Sequence, residues 1–276
     1  MILVGTAGYS YKDWKGVFYP EKLPDKEMLG FYAQHFPFTE VNTTFYRMPN
    51  AFMLANMAAK TPPGFRFFIK AFQGLTHQRD PGLFPEFVAA LAPLVSEGRL
   101  AGVLAQFPNS FRNRPENREY LGQLREALGA DVPVVAEFRH REWVEDESTF
   151  DLLAELDLSF VCVDEPQFKS LVPPLVRATA EPAYVRFHGR NYQKWWHHDH
   201  PDERYDYLYT EDELQDWVPR IQTLQNSVST VYVSMNNHRR GQAVINGRML
   251  RDLLERSLPG AVPGAVTEEV SLTDQP

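Results

Sequence analysis

The sequence predicts one (β/α)8 barrel of the TIM type, an α/β fold, and two observations lead to this prediction. Short runs rich in β-branched and aromatic residues, typical of strands, recur at residues 2–5, 38–42, 65–70, 102–107, 132–138, 158–164, 183–188 and 231–236. Segments with helical spacing lie between most of these runs, at residues 26–36, 51–59, 84–97, 116–128, 149–156, 211–224 and 243–258. Such alternation requires parallel strands joined by crossover helices, and eight repeats over 276 residues fit a closed barrel better than an open sheet.

The ends of the predicted helices carry matching local signals. Thr210 followed by Glu213 is a capping-box pattern at the start of one helix, and Gly98 and Gly129 follow the ends of two others. We place the barrel domain at residues 1–258. Residues 259–276 contain two Pro-Gly steps and no basic side chain, and we expect them to form a C-terminal tail.

Composition narrows the classes of protein. The single cysteine, Cys162, cannot form an internal disulfide, so we expect a reducing, cytoplasmic setting. No stretch approaches the roughly 20 apolar residues that cross a bilayer, which argues against a membrane protein. The formal net charge of -8 argues against a surface coated in basic charge for nonspecific nucleic-acid binding, but it leaves room for a local basic cleft. The sequence lacks the common nucleotide-binding, zincin and nucleophile-elbow motifs, so we predict no cofactor.

Polar side chains lie at the carboxyl ends of seven predicted strands, the place where the active sites of barrels are found. Period-two alternation directs the following residues into the barrel mouth: Glu40, Asn42, Lys70, Gln106, Glu137, Arg139, Cys162, Asp164, Tyr184, Arg186, His188 and Asn236, with Asn237 just beyond. A strand interior does not need polar ends of this kind, so the set predicts a binding cleft. For any single charged residue the alternative is a buried ion pair inside the barrel.

The predicted cleft is basic and aromatic. Lys70, Arg139, Arg186 and Arg190 outnumber the acidic residues there, which favours an anionic ligand such as a phosphate, a sugar phosphate or a nucleic-acid backbone. Residues 190–196, RNYQKWW, interleave basic and aromatic side chains, a pattern typical of surfaces on which bases or sugar rings stack. The alternative is a loop that packs its aromatic rings on the barrel rim.

Several segments resemble the YecE-like family, also called domain of unknown function 72: GTAGYSYKDWKGVFYP, FTEVNTTFYRMP, FRFFIKAFQGLTH, VLAQFPNSF, VVAEFRHREW and YVRFHGR. The similarity extends to about Leu258, and it implies a TIM barrel but no settled reaction. The positions that match the family's motifs are Gly8, Trp14, Tyr19, Glu40, Asn42, Phe45, Tyr46, Lys70, Thr76, His77, Gln106, Glu137, Arg139, Trp143, Arg186, His188, Gly189, Asn236 and Asn237. The chain departs from the family at Met235, where Phe is usual, and at His238, where small polar residues are common.

Two hypotheses for the function follow. In the first, a hydrolase or lyase acts on a small anionic, ring-containing substrate, and the residues assigned to catalysis are His188, Glu137, Asp164 and Lys70. Glu137 or Asp164 would take a proton, His188 would donate one, and Lys70 would help to neutralise the anion. The residues assigned to substrate binding are Asn42, Tyr46, His77, Gln106, Arg139, Arg186, Arg190, Asn236 and Asn237. In the second, a noncatalytic protein binds single-stranded nucleic acid in the basic, aromatic-lined cleft.

Three questions stay open at the level of sequence. Lys70 could form a Schiff base if it is desolvated beside another cation, but an ion pair with Glu40 or Glu137 is favoured. The loop after strand seven could hold a borderline metal ion such as zinc, although we predict no required metal; its histidines are His197, His198 and His200. The oligomeric state is not predicted.

Overall fold

The computed structural model describes residues 1–263, in which eight parallel strands close into a barrel. Each strand pairs with the next along the chain, and β1 pairs with β8. The strands are β1 (Ile2–Ala7), β2 (Phe38–Val41), β3 (Arg66–Lys70), β4 (Leu100–Gln106), β5 (Val134–Glu137), β6 (Leu158–Asp164), β7 (Ala183–Phe187) and β8 (Val231–Met235). The predicted fold class is therefore confirmed, with all eight strands at the expected places.

The helices form the outer layer of the barrel. They are α1 (Met28–Tyr32), α2 (Thr43–Tyr46), α3 (Ala51–Ala59), α4 (Phe84–Ser96), α5 (Pro115–Leu128), α6 (Glu142–Glu145), α7 (Ser148–Glu155), α8 (Glu211–Gln215), α9 (Val218–Gln225) and α10 (Gln242–Ser257). The capping box of Thr210 and Glu213 is present at the start of α8. The single helix expected over 211–224 is instead two, because Pro219 has no amide hydrogen and begins a new helix with its neighbour Val218.

Aromatic rings fill the amino-terminal half of the barrel interior. Phe38, Phe68 and Tyr232 pack edge to face, and Tyr184 lies 4.4 Å from Phe68 between ring centroids. A glycine on the neighbouring strand makes room for this cluster: a Cβ atom added to Gly5 would lie 2.5 Å from the Phe38 carbonyl oxygen and 2.8 Å from its ring. The lower part of the barrel is therefore a packed core, and the polar residues lie above it.

The register of β6 corrects one prediction about which side chains face inward. Val161 is level with Tyr184 and Val163 with Arg186, whereas Cys162 and Asp164 are level with outward-facing residues of β7. Because neighbouring residues of a parallel pair share a face, Cys162 and Asp164 point to the helix layer. The expectation that they face the barrel mouth is wrong by one residue.

The C-terminal tail is described only in part. The predicted tail residues 264–276 lie outside the described residues. Within the described part, the carbonyl oxygen of Ala261 accepts a hydrogen bond from the amide of Ile2 at 2.8 Å. No helix between residues 1 and 263 is both long enough and apolar enough to cross a membrane.

Candidate active site

A cavity of about 670 Å³ opens at the carboxyl ends of the strands. Eight residues that the sequence assigned to the site line its wall: Asn42, Tyr46, Lys70, His77, Gln106, Arg139, Arg186 and Asn236. Four of the other lining residues carry aromatic rings and come from loops: Tyr11, Trp195, Trp196 and Tyr205. The charged lining residues are basic with one exception, Asp202, since Lys70, Arg139, Arg186 and Arg204 all reach the wall. The wall therefore favours an anion.

The floor of the cavity is a buried ion-pair network around Arg186 of β7. Its guanidinium donates to both carboxylate oxygens of Glu40, at 3.0 and 2.5 Å, and to Glu137 at 2.6 Å. The Tyr184 hydroxyl donates a further hydrogen bond to Glu40 at 2.9 Å. The side chain of Arg186 is 1% exposed and both carboxylates are fully buried, so the charges compensate one another out of contact with water. These pairings match the ion-pair alternative weighed from the sequence.

Arg139 joins this floor to a second buried carboxylate. Its guanidinium lies 2.8 Å from Glu137 and 2.7 Å from Glu165, the residue that follows β6. Burial on its own raises the pKa of Glu137, but Arg139 and Arg186 outweigh it and hold that pKa well below its ordinary value. Burial dominates at Glu165, where it raises the pKa to about 7. Glu137 is thus a fixed anion, whereas Glu165 changes its charge near neutral pH.

His188 lies buried behind the cavity wall rather than on it. The imidazole is fully buried, its Nε2 is 3.2 Å from Glu137, and its Nδ1 is 2.9 Å from the side-chain amide of Asn236. A carboxylate only accepts, so Nε2 carries the proton and donates to Glu137, while Nδ1 accepts from Asn236. Burial lowers the pKa of His188 to about 3, which keeps the ring neutral. With both nitrogens occupied, His188 orients Glu137 and Asn236, and the placement does not favour the expected role of proton donor.

Lys70 and Arg204 differ from the other two cations of the wall, Arg139 and Arg186, because neither has a carboxylate partner among residues 1–263. Within residues 1–263, no carboxylate lies within 4.0 Å of the Lys70 ammonium group, because Glu40 and Glu137 are engaged by arginines. The ion pair favoured from the sequence is therefore absent. The Nζ atom instead lies 4.5 Å from the centroid of the Phe45 ring. Burial, reinforced by Arg186, lowers the pKa of Lys70 to about 8.

His77 lies on the same part of the wall. Its imidazole packs against the other contact of Lys70, the ring of Phe45, with 4.9 Å between centroids. Its Nδ1 lies 3.0 Å from the hydroxyl of Thr76. Burial and the nearby Lys70 lower the pKa of His77 to about 4, so this ring is neutral at pH 7 and lines the cavity. A neutral imidazole can both accept and donate a proton.

The two tryptophans of the aromatic loop after β7 each match a different one of the two interpretations made from the sequence. Trp195 is 3% exposed and packs near His188 and Tyr205, which is the rim-packing alternative. Trp196 is 47% exposed at the cavity mouth, and across the mouth Tyr46 is 74% exposed. The exposed aromatic rings at the mouth are therefore those of Trp196 and Tyr46 rather than those of the paired tryptophans.

Three residues assigned to the site lie outside the cavity, and these assignments are corrected. The carboxylate of Asp164 accepts from Arg190 at 2.9 and 2.7 Å, from the Tyr209 hydroxyl at 2.7 Å and from the Trp217 indole at 2.8 Å. Asn237 donates to the Tyr207 carbonyl oxygen and to a side chain of α10. Asp164 points outward from the barrel, and these contacts tie the loop after β7 and the segment after β8 to the helix layer.

Sequence reasoning missed Glu165, Arg204 and Asn109. Side chains alternate along the chain here, so Glu165 faces inward because its neighbour Asp164 faces outward. Knowing which face of β6 points inward would therefore have identified Glu165. The sequence does not indicate which face of β6 points inward, because all seven residues of β6 are buried and polar positions do not alternate with apolar ones by exposure. Asn109 belongs to a loop and Arg204 to a short 3-10 helix, Pro201–Tyr205, and period-two alternation applies to neither.

The histidine loop offers no assembled metal centre. His198 contacts the Lys194 carbonyl oxygen through Nδ1 and Arg204 through Nε2, and His197 and His200 are exposed. Over residues 1–263, no three histidine, cysteine or acidic side chains are grouped so that they could hold an ion. The absence of a required metal stays a prediction.

The fold and this cavity define the class of the protein: a (β/α)8 barrel with a candidate active site at the carboxyl ends of its strands. The chain belongs to the DUF72 family, since the sequence model described as "Protein of unknown function DUF72" matches residues 3–268. The resemblance found in the motifs is therefore confirmed.

Relatives match over nearly the whole chain. The sequence is 36% identical over 281 residues to UPF0759 protein YunF of Bacillus subtilis (strain 168), covering 95% of this chain and 98% of that protein. The crystal structure of a DUF72 family protein from Thermotoga maritima MSB8 superposes with a TM-score of 0.84 at 39% identity, covering 92% of this chain and 99% of the other. For a DUF72 family protein from Enterococcus faecalis V583 the TM-score is 0.83 at 27% identity, with coverages of 92% and 96%.

Proposed function

We propose that this protein is an enzyme, a hydrolase or lyase, that acts on a small anionic, ring-containing substrate such as a phosphorylated sugar or a nucleic-acid-derived compound. The observation that carries the proposal is the cavity at the strand ends, whose wall combines four basic side chains with exposed aromatic rings. A cavity of about 670 Å³ lies within the range of about 300–1,000 Å³ that is usual for small-molecule sites.

The residues divide into three roles. Lys70, Arg139 and Arg204 bind the anionic group, because their cationic ends reach the cavity wall. Trp196 and Tyr46 cover the ring of the substrate. His77 moves protons, since it is neutral at pH 7 and lies beside Lys70.

The buried residues next to the cavity wall do not contact the substrate; they hold the side chains that do. Glu137 holds Arg139 and Arg186 in place, and His188 fixes both Glu137 and the wall residue Asn236. In this proposal Glu137 and His188 are positioning residues rather than proton-transfer groups. Asn42 keeps a buried Oδ1 atom without a hydrogen-bond partner among the described residues, so it can accept a hydrogen bond from the substrate.

A ligand screen by thermal unfolding tests the proposal. The panel contains phosphorylated sugars, nucleotides, single-stranded oligonucleotides and divalent metals, because any ligand that prefers the native state raises the Tm. We expect a small phosphorylated ring compound to raise the Tm of the wild type and to have little effect on Lys70→Met. Lys60→Met is the matched control, since Lys60 does not line this cavity and should leave the response unchanged.

The second candidate is a noncatalytic protein that binds single-stranded nucleic acid. The exposed rings of Trp196 and Tyr46, together with Arg204, favour it, because bases stack on such rings and the backbone pairs with arginine. It predicts a Tm shift with oligonucleotides alone. That shift would fall steeply with salt and would be lost in Trp196→Ala.

A further inference from the structure

We propose that Lys70 is a nucleophile that forms a Schiff base with the carbonyl group of an anionic aldehyde or ketone bound in the cavity. The inference rests on the proposed function and narrows it: it names a carbonyl compound as the substrate and a lyase as the type of enzyme. Three features of the site support it, namely the missing carboxylate partner, the cationic surroundings and the fixed position of the amine.

The amine is available because its potential partners are occupied. Glu40 and Glu137 are the buried carboxylates of the floor, and the guanidinium of Arg186 engages both. Two other basic residues at the mouth are paired with carboxylates: Lys194 outside the cavity with Glu203 at 3.2 Å, and Arg139 with Glu137 and Glu165. Arg204 instead contacts the imidazole of His198, and its guanidinium cannot act as a nucleophile. A lysine ammonium without an anionic partner on a partly buried wall is costly for stability, and such a residue is more readily explained by chemistry than by packing.

The surroundings favour the neutral amine that attacks a carbonyl. Burial is the main cause that lowers the pKa of Lys70 from 10.5 to about 8, and Arg186 and, less strongly, Arg139 add to it against the opposing charges of Glu40 and Glu137. At about pH 7.5, roughly one fifth of such amines are unprotonated, against about one in 1,000 for a surface lysine with an ordinary pKa. Desolvation beside another cation is the usual way in which proteins activate a Schiff-base lysine.

The position of the amine is fixed from two sides. The backbone of Lys70 is the end of β3, and its carbonyl oxygen accepts a hydrogen bond of 2.6 Å from the hydroxyl of Thr44. The side chain lies over the ring of Phe45, with Nζ 4.5 Å from the ring centroid. The amine therefore points into the cavity from a rigid element, where Arg139 and Arg204 can hold the anionic group of the same substrate.

The step balances without any further reactant. Lys70 first loses a proton to solvent, and the nitrogen lone pair then forms a C–N bond to the carbonyl carbon as the C=O π electrons move to the oxygen. The nitrogen gives up one of its two protons and the oxygen takes up one, giving a neutral carbinolamine. The C–O bond breaks, the oxygen leaves as water after a second protonation, and a protonated imine remains. The cationic imine withdraws electrons from the neighbouring carbon, which is what cleavage of an adjacent bond by a lyase requires.

The test uses two probes that differ in one group. Pyridoxal 5′-phosphate carries an aldehyde, a ring and a phosphate, whereas pyridoxine 5′-phosphate carries an alcohol in place of the aldehyde. The full-length protein is incubated with each probe at about pH 7.5, treated with sodium borohydride to reduce any imine, and analysed by intact mass and peptide mapping. Lys70→Arg keeps the positive charge but cannot form the imine, and Lys194→Arg is the control, because Lys194 lies beside the mouth with its ammonium paired.

We expect one reduced adduct of pyridoxal 5′-phosphate, located on Lys70 and formed on the order of 100-fold faster than at any surface lysine. The adduct should be absent from Lys70→Arg and present in Lys194→Arg. The rate of labelling should rise with pH and level off above about pH 8, since the neutral amine is the reactive form.

Two results would overturn the inference in distinguishable ways. If pyridoxine 5′-phosphate raises the Tm of the wild type but the aldehyde gives no adduct on Lys70, the Schiff base is wrong and the proposed function stands. If neither probe binds and the aldehyde labels surface lysines equally in wild type and Lys70→Arg, both the Schiff base and binding of this substrate class are wrong. Thermal unfolding of Lys70→Arg without ligand verifies that the variant is folded.

Discussion

At the scale of single residues, the site is organised by which carboxylate each cation engages. Arg186 forms ion pairs with Glu40 and with one carboxylate oxygen of Glu137. Arg139 pairs with the other oxygen of Glu137 and with Glu165. This pairing leaves Lys70 without a carboxylate partner among the described residues, as it does Arg204, and Lys70 is the amine of the two. The free amine is thus a consequence of how the arginines are satisfied.

The floor network should be important for folding because its charges have no access to water. Glu40→Ala leaves the buried guanidinium of Arg186 with only part of its compensation, and we expect it to lower the free energy of unfolding by about 3 kcal/mol or more. Glu97→Ala is the control, since Glu97 is 51% exposed and 3.8 Å from Arg99, and a change within about 0.5 kcal/mol is expected. Urea unfolding of both variants measures this, and equal losses would contradict a buried, compensated network.

The raised pKa of Glu165 leads to a prediction of how the stability of the protein changes with pH. Its pKa is about 7 in the folded protein and 4.5 for an ordinary glutamate, so between these values the folded chain holds a proton that the unfolded chain has lost. Stability from this group is therefore present below about pH 4.5 and is lost as the pH rises through 7, by on the order of 2–3 kcal/mol.

Glu165→Gln isolates that contribution, because glutamine resembles the protonated carboxyl at every pH. We expect the variant to gain stability over the wild type as the pH is raised from 5 to 8, measured by urea unfolding at each pH. Parallel profiles for the two proteins would mean that Glu165 does not titrate in this range.

At the scale of elements, the strands depend on close packing inside the barrel. Gly5→Ala on β1 would place a methyl group 2.5 Å from the Phe38 carbonyl oxygen, which cannot move without disturbing β2. We expect a loss of about 1–3 kcal/mol from this overpacking. Gly122→Ala in α5 is the matched control: the nearest atom to its added methyl is 3.9 Å away, and alanine should stabilise the helix by about 0.5–1 kcal/mol. A neutral Gly5→Ala would contradict the described packing.

The sequence predicted the elements better than their orientation. All eight strands were found because each is a short apolar run flanked by polar residues, and Pro219 divided one helix in a way that helical spacing alone does not reveal. The prediction of which side chains face inward was correct for β7, where Tyr184 and Arg186 alternate with apolar residues. It was wrong for β6, because a strand buried on both faces gives no contrast and a slip of one residue reverses every side chain.

The same reasoning explains which site residues could be predicted. Lys70 and Gln106 are the last residues of β3 and β4, and Arg139 comes just after β5. Each interrupts an apolar run at a strand end, so the barrel geometry alone brings it to the mouth. The sequence did not reveal that His188 is buried. It is at the expected strand end but is enclosed behind the cavity wall, where Asn236 and Glu137 contact its two ring nitrogens and Trp195 and Tyr205 pack near its ring. Depth depends on contacts between distant strands, which no local pattern encodes.

At the scale of the whole molecule, a basic cavity opens in a chain with a formal net charge of -8. The acidic surface of the protein repels a long polyanion that lies mostly outside the cavity, whereas a small anion inside the mouth contacts a wall whose charged residues are basic except for Asp202. This contrast between the body and the cavity favours a compact substrate over a nucleic-acid strand.

The central claim, that the cavity converts a small anionic ring compound, is tested most directly by following the compounds themselves. Each phosphorylated member of the panel is incubated with the wild type and with Lys70→Met, and the mixture is monitored by phosphorus and proton NMR. The account predicts new resonances that accumulate with the wild type for at least one compound, at least about 100-fold more slowly with the variant. If a compound that raises the Tm is recovered unchanged at saturating concentration, the protein binds without turning it over, and the claim of catalysis is wrong.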